Sequence, residues 1–199
     1  MNYKLYLDSS DIYLSVGISL DGKLIYSYQK DCFKRQSEFM MSEIDKALKA
    51  CSISMKDISE AVIGIGPGSY TGVRISLAIA KTLYAIRNIK VTPLSSLQIM
   101  GDYGESYIAL MNARSNRSYI GVYSDGKTLV EDQVLGNDEV KKLIEDYLKK
   151  GYHLRGDAAY LGLESERPSL VSGLFTNGEH QESYEIVDKL TPRYLKENY

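Results

Sequence analysis

Tryptophan is absent from this sequence of 199 residues, and histidine and cysteine occur only twice each. That scarcity leaves little for a metal centre. His153 and His180 have neither a second histidine nor a cysteine at ligand spacing, and the pattern HExxH is missing. Cys32 and Cys51 form no CxxC pair and read as reduced thiols. No window approaches ~18 consecutive apolar residues, so no segment is expected to span a membrane. The opening MNYKLYLDSS alternates like a strand and lacks the charged and apolar regions of an export leader. A soluble protein of the cytosol is the expectation. A basic excess is missing too: 24 Lys and Arg face 26 Asp and Glu, a net charge of -2. Phosphate binding draws on cationic side chains, so this balance argues against autonomous nucleic-acid binding.

What is present suffices for a core. Hydrophobic residues make up 44% of the chain, and its length suits one large domain or two small ones. Tyr3, Leu5 and Leu7 alternate as a strand, and Asp8-Ser9-Ser10 makes a polar turn. Ile12, Leu14, Val16, Ile18 and Leu20 alternate as a second strand, Asp21-Gly22 signals a tight hairpin, and Leu24 to Gln29 returns. A helix follows, with Met40, Ile44, Ala47, Leu48 and Cys51 at helical spacing, and then the buried strand Ala61–Ile65. The same order comes back about a hundred residues later. Tyr107–Met111, the turn 112–116, Tyr119–Tyr123, Asp125-Gly126 and Thr128–Leu135 precede a helix over Asp138–Lys150 and a strand at Tyr152–Leu154. This internal repeat predicts a duplicated α/β fold of the actin-like and sugar-kinase (ASKHA) type. Two lobes with mixed sheets are expected, residues 1–103 and a smaller, truncated lobe 104–199.

The most informative segment is Gly64-Ile65-Gly66-Pro67-Gly68-Ser69-Tyr70-Thr71-Gly72-Val73-Arg74-Ile75. It leaves a strand and opens a helix, where backbone N–H groups can hold an anion. Its spacing fits neither GxxxxGK[ST] nor GxGxxG, since Gly66, Gly68 and Gly72 give GxGxxxG. A tight strand-to-helix turn capped by Ser69 or Thr71 is the plainer reading. The helix over 72–87 bears two apolar stripes, Ile75, Ile79, Leu83, Ile86 and Val73, Leu77, Ala80, Tyr84. Together they exceed the stripe of a one-sided surface helix. Gly72, Ser76 and Ala80 form a small ridge that invites close approach of another helix. One face is expected to cover the sheet and the other to meet a partner, with a helix deep in its own core as the alternative.

At GPGSYTGVRISLAIAKTL and the following Pro93-Leu94-Ser95-Ser96-Leu97, the chain resembles the TsaB (YeaZ) family of bacterial tRNA threonylcarbamoyladenosine biosynthesis proteins. The likeness extends to Leu7-Asp8-Ser9-Ser10, Arg35-Gln36-Ser37-Glu38, Asn112-Ala113-Arg114 and Thr191-Pro192-Arg193-Tyr194-Leu195-Lys196. The resemblance implies a non-catalytic scaffold subunit. Its partners would be the catalytic subunit TsaD and the ATPase TsaE, in a complex that modifies adenosine next to the anticodon of ANN-decoding tRNAs. ATP, ADP and metal would sit on those partners, with no intrinsic cofactor here, and tRNA would be met only through the complex. In the family, two N-terminal-lobe helices join a four-helix bundle with TsaD, and the free protein can self-associate. Met40, Ile44, Ala47, Ile75, Ser76, Ile79, Ala80 and Leu83 are therefore expected to form or support the interface. Asp8, Gly66, Pro67, Gly68, Ser69, Tyr70, Thr71, Gly72 and Arg74 are the family-motif positions. Gln36 stands where many members have His, and Asn112 where an acid is common, which removes metal ligands. A nucleotide-dependent phosphotransferase or ATPase of the same superfamily is the alternative, and a metallopeptidase a third reading.

Overall fold

A computed structural model describes residues 1–195 apart from positions 33 and 185. Lys196, the last position of the C-terminal resemblance, lies outside the described residues. The chain runs β1 (Tyr3–Asp8), β2 (Tyr13–Leu20), β3 (Lys23–Asp31), α1 (Gln36–Ala50), β4 (Ile58–Gly64), α2 (Tyr70–Arg87) and β5 (Lys90–Leu94). It continues through β6 (Ser106–Arg114), β7 (Arg117–Ser124), β8 (Lys127–Gly136), α3 (Asn137–Leu148), β9 (His153–Gly156) and α4 (Leu170–Gly178). The first sheet has the order β3-β2-β1-β4-β5 and the second β8-β7-β6-β9. In each, a hairpin meander pairs antiparallel on one side, and the strand after the helix pairs parallel on the other. Both meander turns use Asp-Gly with positive φ, 48° and 76° at Asp21-Gly22 and 51° and 72° at Asp125-Gly126. That is the backbone twist a two-residue hairpin requires.

The duplicated fold is thus present, and the second copy is the shorter. Where β5 flanks β4 in the first sheet, the second has a single parallel bridge, Arg155 to Glu166, beside β9. Period-two alternation sorts each central strand between two cores. Leu5 and Leu7 of β1, with Ala61 and Ile63 of β4, face α1 and α2. Tyr6 and Val62 face the opposite way, toward α4 and the Tyr107, Ala109 and Met111 side of the second sheet. Ile108 and Leu110 meet α3.

The residues expected as the C-terminal lobe, 104–199, do not all stay with the second sheet. Helix α4 packs across β1 to β5 of the first sheet. The segment after it runs along the first lobe, with Tyr184 N–H on the Val91 carbonyl at 2.7 Å and Arg193 N–H on the Ile65 carbonyl at 2.7 Å. Val187 and Leu190 complete the core of that lobe. The apolar underside of the first sheet requires a cover, and α4 supplies it with Leu170 and Leu174 beside Tyr6 and Val62. Among the described residues, no helix is long and apolar enough to cross a membrane.

Candidate functional site: an interlobe cleft and an exposed helix face

The glycine-rich loop is a junction between three chain segments. Gly66 N–H donates to Ser96 Oγ at 2.9 Å, and Ser96 N–H returns to the Gly66 carbonyl at 2.9 Å. Ser69 N–H donates to the Ser10 carbonyl at 2.7 Å. Ser69 is the N-cap of α2: its Oγ accepts the Gly72 N–H at 3.2 Å. The Gly66-Pro67 bond is cis. A side chain at Gly68 would run into the Ser10 carbonyl, and one at Gly72 into the Ser9 carbonyl. These two glycines let the β1–β2 turn lie directly against the start of α2.

Asp8 ends β1 beneath this loop and is fully buried. One carboxylate oxygen accepts from Ser10 N–H at 3.1 Å and Ser10 Oγ at 3.0 Å, while Oδ1 has no partner. Burial pushes its pKa up to about 7, and the Ser10 hydrogen bonds only partly oppose this. Asp8 does not line the cleft beside it. Among the described residues, no three His, Cys, Asp or Glu side chains gather as a metal-holding group. Gln36 instead donates from Nε2 to the Asp11 carbonyl at 2.8 Å, fixing the start of α1.

The cleft itself has a volume of about 540 Å³. Its walls come from both lobes: Asp11, Lys34 and Gln36, the 68–72 loop, and, opposite, Asn112, Arg114 and Tyr119. Asp11 and Asp157 add carboxylates, and Arg167 approaches both, at 4.0 Å and 3.0 Å. Burial raises the Asp11 pKa, with Arg167 among the opposing influences. At the mouth, Tyr70 is 52% exposed and carries Arg74 and Tyr194 beside it. Arg74 Nε donates to the Tyr194 hydroxyl at 2.8 Å, a bond that raises the Arg74 pKa. Nothing in the sequence joins residues so far apart as 74 and 194.

The interface residues expected on α1 and α2 divide into two sets. Met40, Ile44 and Ala47 face inward and are enclosed by their own lobe, as are Ser76 and Ala80. They support the helix pair without reaching its surface. The small ridge of α2 admits the Ser9 turn, with Ser9 Oγ 3.2 Å from Ser76 Oγ, and not a second helix. Ile75, Ile79 and Leu83 are half-buried, packed on one side against the core of their lobe and partly open on the other. With Ala78, Thr82 and Ile86 they complete a stripe at i, i+3, i+4, i+7, i+8 and i+11 that holds no charge. Ile86 is 72% exposed. The one hydroxyl in the stripe, Thr82 Oγ1, donates back to the Ala78 carbonyl at 2.8 Å. The charged residues of this helix are drawn aside, Lys81 Nζ to the Asp188 carbonyl at 2.9 Å and Arg87 to the Lys56 carbonyl at 2.9 Å.

Buried Asp132 on β8 was not legible as a site. It accepts from Ser95 Oγ and from the Tyr123 hydroxyl, and pairs with Arg193 at 3.0 Å. Burial first, then the carboxylate, hold the Tyr123 hydroxyl well above its ordinary pKa. This knot ties the C-terminal segment to the second sheet.

Comparison with known proteins adds the following. The family model of TsaD, tRNA N6-adenosine threonylcarbamoyltransferase, matches residues 30–177. The tRNA threonylcarbamoyladenosine biosynthesis protein TsaB of Bacillus subtilis is 28% identical over 96% of this chain and 93% of its own length. TsaB of Buchnera aphidicola from Schizaphis graminum is 30% identical, covering 71% of this chain and 74% of its own. In structure, YeaZ from Pseudomonas aeruginosa superposes with a TM-score of 0.76 over 98% of this chain and all of that one, at 18% identity.

Proposed function

From the premise that the chain belongs to the TsaB family of tRNA threonylcarbamoyladenosine biosynthesis proteins, we propose that it is the non-catalytic subunit of a threonylcarbamoyltransferase complex. It docks through the outward stripe of α2 onto a TsaD-type catalytic partner and, with that partner, engages a TsaE-type ATPase. The observation that carries this reading is the stripe Ile75, Ala78, Ile79, Thr82, Leu83 and Ile86: a continuous uncharged face whose only hydroxyl is bonded inward. Contiguous apolar surface of this kind marks an interaction site. A match to the TsaD family model across residues 30–177 supports the choice of partner, because a two-fold pair buries the same patch on both subunits and a related fold can carry an equivalent patch. The same face offers a route to self-association of the free chain.

Reconstitution of tRNA modification with and without this chain, using the catalytic subunit and ATPase from the same source, tests the role. Omission of the chain is expected to abolish or strongly reduce product. Ile79→Glu and Ile86→Glu are expected to keep the fold and lose copurification with the catalytic subunit. Full product without the chain would overturn the reading. The alternative, an ATPase acting alone in the 540 Å³ cleft, requires stoichiometric Mg-ATP binding and turnover by the pure chain.

A further inference from the structure

Tyr70 lies in the first turn of α2, and its half-exposed ring has two neighbours. Tyr194 stacks on it with centroids 5.4 Å apart and planes inclined by 22°. The Arg74 guanidinium carbon lies 3.9 Å from the Tyr70 centroid and 5.9 Å from that of Tyr194. These separations set Arg74 and Tyr194 at roughly a right angle around the Tyr70 centroid, and Arg74 Nε donates to the Tyr194 hydroxyl, so the three side chains steady one another. The ring is 52% exposed, and it lines the interlobe cleft with Lys34, Asn112 and Arg114. Arg114 comes from the turn at the end of β6, on the facing wall, and is exposed.

A half-exposed aromatic ring steadied by Arg74 and Tyr194, with Lys34 on its own wall of the cleft and Arg114 on the facing one, suits a flat heteroaromatic ring attached to a phosphate. We propose that the cleft takes an unpaired nucleotide of RNA, its base against Tyr70 and its phosphate toward Arg114 and Lys34. The proposal deepens the tRNA reading and rests on it. A nucleotide within a strand is favoured over a free one for two reasons. The loop has neither the GxxxxGK[ST] nor the GxGxxG spacing that cradles the phosphates of a free nucleotide. The platform also sits at the rim, where flanking nucleotides have room to leave. Stacking of this kind is tolerant of sequence. Arg167 offsets the Asp11 and Asp157 carboxylates of the same cleft. The chain's net charge of -2 keeps the expected affinity low, on the order of 10⁻⁴ M.

The test is an NMR titration of the full-length chain alone, with its tyrosine rings ¹³C-labelled. A single-stranded oligoribonucleotide, AMP and inorganic polyphosphate are the three probes. The oligoribonucleotide is expected to shift the Tyr70 ring signals, Tyr70→Phe to retain this, and Tyr70→Leu to weaken binding at least tenfold. Arg114→Glu, in an exposed turn, is expected to weaken it similarly and decides the matter if Tyr70→Leu does not fold. No shift at millimolar RNA, an equal response to AMP or to polyphosphate, or unchanged binding by Arg114→Glu would each overturn the proposal. Ile79→Glu, which removes the docking face, is expected to bind RNA as the parent does, so failure of partner docking and failure of this proposal read out separately.

Discussion

Ser9 and Gly72 are locked together: the Ser9 hydroxyl donates to the Gly72 carbonyl at 2.8 Å, and the Ser9 carbonyl occupies the space a Cβ at residue 72 would need. The end of β1 and the start of α2 are therefore one unit. Gly72→Ala is expected to destabilise the chain by about 1–3 kcal/mol, since the clash is with backbone and not with a yielding side chain. Denaturant unfolding of the variant checks this, and a loss below a few tenths of a kcal/mol would contradict the packing described.

Asp8 should impose a pH dependence on stability. Its folded pKa of about 7 lies above the ordinary carboxyl value of 3.8, so the fold prefers the protonated acid. The stabilisation is complete below about pH 4, falls as pH rises toward 7, and is gone above it. At about 1.4 kcal/mol per unit, the fall is on the order of 4 kcal/mol. Asp8→Asn cannot ionise and should flatten the profile between pH 4 and 8. An unchanged slope in the variant, measured by urea unfolding across that range, would show that Asp8 is ionised in the fold.

Ala80 separates the inward from the outward side of α2. It is fully enclosed, so Ala80→Glu buries a charge and is expected to cost about 3–5 kcal/mol of stability. Ile86→Glu, at a position 72% exposed near the end of the helix, should cost less than about 0.5 kcal/mol. Thermal melts of the two variants, run beside copurification with the catalytic subunit, distinguish loss of fold from loss of docking.

Asp132 holds the C-terminal segment through Arg193 while accepting from two hydroxyls. Asp132→Ala leaves Ser95 and Tyr123 without this acceptor and should cost about 3 kcal/mol. It should also raise the rate of proteolytic cleavage between residues 180 and 195, read by mass spectrometry. Equal cleavage of the variant and the parent would mean that the segment is held by its contacts with the first lobe and not by Asp132.

The elements themselves were legible because each was specified locally. Alternation marked β1 and β2, Asp-Gly marked both hairpins, and the double stripe of α2 announced that two of its sides are apolar. What periodicity could not supply was the assignment of those sides. Ser76 and Ala80 looked like a seat for another helix, but Ser9, some seventy residues earlier, already fills it. The spacing of Met40, Ile44 and Ala47 fits forming or supporting an interface alike, and it takes the structure to turn them inward, because a helix lying on a sheet directs its strongest apolar face to the core.

The amino-acid order by itself determined the duplicated α/β pattern, the glycine-rich junction and the family, because turn chemistry, side-chain period and short motifs act over a few residues. Only the tertiary structure decided that α4 and the C-terminal segment return to the first lobe, that Asp132 pairs with Arg193 of that segment, and that Tyr70 lines a cleft with Arg74 and Tyr194 beside it. Those arrangements join residues scores of positions apart. Their energies come from burying surface and satisfying polar groups between distant segments, a balance that no local window of sequence contains.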